Sequence, residues 1–129
     1  MNYWIQRADF SSTEGHCGDP GALVDAFHAH DWPGELEFED RLQREGHECC
    51  PPGFGVFPDD GRILHLCPRP GGGLECHYTY PHETRVLGLF RAKRSQTVTW
   101  SPSMPEAARL IEAFCAGRHD DLLAAARRG

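Results

Sequence analysis

Between residues 107 and 115 the apolar side chains fall at Ala107, Leu110, Ile111, Phe114 and Cys115. That is the i, i+3, i+4, i+7, i+8 spacing of a single helical stripe. Ser103-Met104-Pro105-Glu106 ahead of it is an S-x-x-E capping box with proline in the first turn, and Gly117 is the stop. HDDLLAAARR then predicts a second short helical turn or two, acidic at its start and basic at its end, as the helix dipole favours. Near the other end of the chain, Asp19 before Pro20 has the form of an N-cap, and Leu23, Val24 and Phe27 make a second stripe that ends by Trp32, before Pro33-Gly34.

Between these stripes the period changes to two. Residues 2–10 predict a first strand, followed by SSTEGHCGD as a loop. GELEFEDRLQRE alternates in its first half. Leu36 and Phe38 point one way and Glu35, Glu37 and Glu39 the other, which predicts a half-buried strand with an outward row of carboxylates. A helix over 35–45 is the rival reading, because Glu, Leu, Arg and Gln favour helix. Asp59-Asp60-Gly61 in GFGVFPDDGRILHLCPR signals a hairpin. Pro70-Gly71-Gly72-Gly73 makes a second turn before LECHYTY, and RVLGLFRAKR with QTVTW predicts a further strand pair. Strands flanked by helices imply an α+β domain: an antiparallel meander with an N-terminal and a C-terminal helix packed on one face.

A chain of 129 residues fits one domain, 1–129. No apolar run approaches the length a bilayer requires, and MNYWIQRADF lacks the pattern of a secretory signal, so a cytoplasmic protein without a membrane partner is expected. The net charge of −6 is unevenly spread. Residues 1–60 hold 13 of the 19 acids and 3 of the 13 Lys and Arg residues, a balance of −10, against +4 for the remainder. This distribution argues against direct nucleic-acid binding and for a basic partner.

The stretch GHECCPPGFG, followed closely by Cys67, Cys76 and His77, raises three chemistries. If Gly71-Gly72 is a two-residue turn, Cys67 faces Cys76 and His65 faces Tyr78. His65, Cys67 and Cys76, with Cys49 or Cys50 arriving from the preceding strand, then make a tetrahedral zinc site that can be drawn. The same register allows a Cys67–Cys76 disulfide. Against both, the chain has no C-x-x-C, and a cytosol keeps thiols reduced. The plainer reading is small buried thiols and no cofactor. A thiol enzyme lacks support, since His16-Cys17 and Cys76-His77 are sequence neighbours and not a nucleophile with its base. The expectation is a protein that is not an enzyme.

The order of elements carries a resemblance: an early helix, an acidic segment, GFGVFPDDGRILHL, a strand pair ending QTVTW, and PEAARLIEAFCAG as the closing helix. Over residues 19–125 this layout resembles the small immunity proteins of bacterial polymorphic-toxin systems. The resemblance implies a cytoplasmic α+β protein that binds and neutralises a cognate toxin, with no catalytic residues. An acidic surface suits a toxin whose own cleft is basic and acts on nucleic acid. Glu35, Glu37, Glu39 and Asp40 are the first contact candidates, with Glu14 and Asp31 next. Trp32 is a candidate aromatic anchor, with a core role as its alternative.

Overall fold

The computed structural model describes residues 1–86, 88 and 90–129, and for Thr84, Val86, Phe90 and Arg91 the backbone alone. Six strands, β1 (Asn2–Gln6), β2 (Ser12–His16), β3 (Gly53–Phe57), β4 (Ile63–Arg69), β5 (Gly73–Val86) and β6 (Phe90–Trp100), form one antiparallel sheet in the order β2-β1-β3-β4-β5-β6. Four helices, α1 (Pro20–Ala29), α2 (Trp32–Arg44), α3 (Ala107–Cys115) and α4 (His119–Arg128), complete an α+β fold. The predicted hairpin at Asp59-Asp60-Gly61 joins β3 to β4, with Asp60 accepting from the Arg62 amide at 3.1 Å.

Alternation sorts the strands into two faces. Phe54, Val56, Leu64, Leu66, Leu74, Cys76 and Tyr78 turn inward and are buried. Leu23 and Phe27 of α1, Ala107, Leu110, Ile111 and Phe114 of α3, and Leu122 of α4 cover them. Phe114 stands edge-on to Tyr78, with centroids 6.1 Å apart and planes at 87°. The Arg62 guanidinium lies 5.0 Å from the Phe114 ring centroid. Tyr78 Oη is 2.8 Å from His119 Nδ1, tying α4 to the sheet.

Both predicted caps are present. Asp19 accepts from the Ala22 amide at 2.9 Å. The Glu106 carboxylate accepts from the Ser103 amide at 3.2 Å and its hydroxyl at 2.9 Å.

The structure corrects four expectations. Ser12–His16, expected as a loop, is a strand on the outer edge of β1. The alternating segment is the helix α2 and not a strand. Asp31 accepts from the Gly34 amide at 3.0 Å, so Pro33-Gly34 opens this helix, and Arg41 and Arg44 close it. A full set of start and stop signals outweighs five alternating residues.

RVLGLFRAKR does not form one strand with QTVTW as its mate. Arg85 and Val86 end β5, and Phe90 begins a single β6 that runs through to Trp100. Leu87 and Leu89 of that segment lie outside the described residues. β4 pairs with β5 only as far as Thr79, so beyond that point β5 and β6 continue as a two-stranded ribbon.

The fourth correction concerns register. Pro70, Gly71 and Gly72 make a three-residue 3-10 turn in which Gly71 has φ of +82°. Arg69 therefore faces Gly73, Cys67 faces Glu75, Leu66 faces Cys76 and His65 faces His77. Relative to the two-residue turn this is a slip of one. It places Leu64, Leu66, Leu74, Cys76 and Tyr78 on the same side, and the burial of that set decides the register.

Phe114→Ala is expected to cost about 3–5 kcal/mol, the range for truncating a large buried aromatic. Denaturant unfolding followed by far-UV circular dichroism checks it. A midpoint equal to that of the parent contradicts the packing described.

Candidate functional site

The sheet face away from α1 and α3 carries one row of directly opposed residues across all six strands: Glu14, Trp4, Gly55, His65, His77 and Thr99. Gly55 leaves room for the Trp4 indole, which a Cβ there would overlap. A Cβ at Gly53 would come within 2.6 Å of His65 Nε2. The two glycines of GFGVF thus let aromatic rings lie down on β3. Trp4 has Phe57 at 5.4 Å and His65 at 5.5 Å between centroids, and His65 has His77 at 5.9 Å.

Beside His65 and His77 of this row the surface dips into a groove of about 440 Å³. His65 and Cys67 form its base, with Cys67 Sγ 3.5 Å from His65 Nε2. Gln6, Cys50 and Pro51 line one side. On the other, Glu75 bridges His77 (Oε1 to Nε2, 2.8 Å) and Arg69 (Oε2 to NH2, 3.4 Å).

Phe10 stands at the rim. It is 58% exposed, the one large hydrophobic so placed among the described residues. Its φ is +70°, also unmatched among the described non-glycine residues. The left-handed conformation costs a residue with a Cβ about 1–2 kcal/mol. The β1–β2 turn imposes it: the Phe10 amide donates to the Arg7 carbonyl at 3.2 Å, and Asp9 accepts from the Ser11 amide at 3.0 Å.

The electrostatics of the groove leave His65 and Cys67 uncharged. Burial, helped by neighbouring His77, lowers His65 to about 4. Burial pushes the Cys67 thiol up to about 11, against a partial pull from Arg69 and with Glu75 and Glu39 adding to the rise. A protonated thiol beside a neutral imidazole is the reverse of an activated nucleophile. Burial also raises the Cys76 thiol.

The drawn zinc set does not assemble. Cys76 is on the core face, opposite His65 and Cys67, because Cys67 pairs with Glu75. Among the described residues no group of three or more His, Cys, Asp or Glu side chains is arranged to hold a metal ion. The same register separates Cys67 from Cys76, and all six cysteines are free.

The acidic candidates also divide, because a helix turns 100° per residue where a strand would alternate. Glu35 points inward, its side chain 11% exposed, with Oε1 3.2 Å from His30 Nε2 and 3.8 Å from Arg7 NH1. Glu39, one turn on, is half-buried and adds to the field at Cys67. Glu37 and Asp40 are exposed. Glu37 has no ion pair among the described residues, and Asp40 pairs with Arg44 at 3.1 Å. Glu14 is exposed on β2, and Asp31 is occupied as the N-cap of α2.

Trp32 is a core residue and not a surface anchor. It is 4% exposed, and its indole N–H donates to the Phe27 carbonyl at 2.7 Å. The sequence reading passed over Phe10, Trp4 and Arg7. Phe10 had one signal, an aromatic in the short polar turn of RADFSS, where burial is not available.

No protein family, characterised protein or solved structure matches the chain. Among the described residues no helix is long and apolar enough to cross a membrane.

His65 supplies a pH test. Its folded value lies below the ordinary histidine value of 6.5, so the unfolded chain takes up a proton first as pH falls. Stability contributed by the neutral ring is full above pH 6.5 and is lost between about pH 6.5 and 4, by at most about 3 kcal/mol. His65→Gln is expected to flatten that part of the stability profile, measured by urea unfolding at successive pH values. A profile as steep as the parent's contradicts the assignment.

Proposed function

We propose that the chain is a protein-binding inhibitor of the immunity type, which docks a basic toxin domain in the bacterial cytoplasm and carries out no reaction of its own. The observation that supports this most directly is the solvent-facing carboxylate run on and after α2. Residues 31–48 hold seven acids against Arg41 and Arg44. Glu37, Asp40, Glu45 and Glu48 of that run are exposed. Such a field accelerates encounter with a basic surface and disfavours acidic competitors. The groove chemistry is consistent with binding: the Cys67 thiol is protonated and the His65 imidazole neutral at physiological pH.

On this reading the docking face is the outer side of a helix, and Glu37 and Asp40 carry it. Glu35 acts within the fold. Nucleic acid is at most the toxin's substrate, and neither it nor a membrane contacts this chain.

The polypeptide encoded by the adjacent reading frame is the partner to test. It is expected to be toxic when expressed alone and to form a 1:1 complex with this chain on size exclusion. Absence of toxicity or of a complex overturns the reading. Glu37→Lys combined with Asp40→Lys is expected to leave the melting temperature unchanged and to slow association about tenfold at low ionic strength. An unchanged association rate in stopped-flow mixing moves the contact away from α2.

A further inference from the structure

Phe10 combines two features that folding alone disfavours: a large apolar ring held in water and a left-handed backbone. The fold does not require phenylalanine there. The turn is closed by backbone bonds between Arg7 and Phe10 and between Arg7 and Ser11, and glycine or asparagine satisfies that position without strain. The ring does have one neighbour that a ligand would share, the groove over His65 and Cys67.

The surroundings of the groove specify its occupant. Its base is uncharged at neutral pH, so it offers a charged group no partner. Its wall is charge-balanced, since Glu75 is paired with Arg69 and His77, but its α2 side is acidic: Glu39 is close enough to act on Cys67, and Glu37, Asp40, Glu45 and Glu48 of the same segment are exposed. An apolar centre inside a charged rim is the layout of an interface anchor pocket. It is also continuous with the acidic α2 surface, since Glu39 belongs to both.

We propose that this groove receives one large apolar side chain, aromatic by preference, from a basic segment of a partner polypeptide, with Phe10 stacking on it from the rim. The proposal rests on the protein-binding reading above and narrows it from a surface to a site. It assigns Phe10 a binding role and makes the groove, beside α2, the source of selectivity for an aromatic residue flanked by Lys or Arg.

Blocked tripeptides test it without the natural partner. Two-dimensional NMR of the intact chain is recorded while Lys-Trp-Lys, Glu-Trp-Glu or Lys-Ala-Lys is added. Lys-Trp-Lys is expected to give saturable shifts at Phe10, His65 and Cys67. Glu-Trp-Glu is expected to bind about tenfold more weakly at low salt, with the gap closing as salt screens the rim. Lys-Ala-Lys is expected not to saturate. Phe10→Gly and Phe10→Asn are each expected to melt no lower than the parent while losing about tenfold in affinity for Lys-Trp-Lys.

Equal affinity for all three peptides, shifts confined to residues outside the groove, or full affinity in Phe10→Asn overturns the proposal. If Lys-Trp-Lys fills the groove while the adjacent gene product does not bind, the groove stands and the immunity reading falls. If that complex forms with Phe10, His65 and Cys67 unshifted, the immunity reading stands and the groove proposal falls.

Discussion

Burial of one side of β3, β4 and β5 is the constraint on which the rest of the molecule depends. Phe54, Val56, Leu64, Leu66, Leu74, Cys76 and Tyr78 must all face α1 and α3. Only one register of β4 against β5 achieves this, with Leu66 opposite Cys76. A slip of β5 by one would send Leu74, Cys76 and Tyr78 to water and bring Glu75 and His77 inside. The three-residue turn at Pro70-Gly71-Gly72 follows from that requirement. Glycine at Gly71 lets the chain take the positive φ the turn contains.

The chemistry of the second face follows from the first. Once the leucines are committed inward, His65, Cys67, Glu75 and His77 have no choice but the open side. There His77, Glu75 and Arg69 form an ion-paired chain, and Cys67 Sγ lies 3.5 Å from His65 Nε2. The glycines of β3 let Trp4 and His65 rest close to the backbone. That closeness desolvates His65 and Cys67 and leaves both neutral. The same packing that suppresses thiolate chemistry makes the groove receptive to an apolar group.

The helices hold this arrangement through a few directional contacts set within general packing. Trp32 gives its N–H to the Phe27 carbonyl and so fixes the angle between α1 and α2. Glu35 meets Arg7 and His30, fastening α2 to the chain end of β1. Arg62, anchored by Asp60 at 2.8 Å, spreads over Phe114. The Arg7–Glu35 and Arg62–Phe114 contacts join segments far apart in sequence and depend on the sheet to set their positions, whereas the Trp32–Phe27 bond links consecutive helices.

Local signals alone determined the α+β class, the hairpin at Asp59-Asp60-Gly61, the capping of α1 and α3, and the buried stripe Ala107, Leu110, Ile111 and Phe114. In these segments a repeat or a cap acts over a few residues and meets no competitor. α2 was legible in its caps but was outvoted by the short alternation at 35–39. That choice mattered, because a strand would have lined up Glu35, Glu37 and Glu39, whereas the helix turns Glu35 inward and Glu37 out. The groove was not legible in the chain at all. It requires a one-residue register, a pair of glycines beneath two rings, and a turn residue, Phe10, brought beside β4 from fifty-five positions away. Such juxtapositions arise only when the core has chosen which side of every strand is in, and that is a property of the assembled sheet.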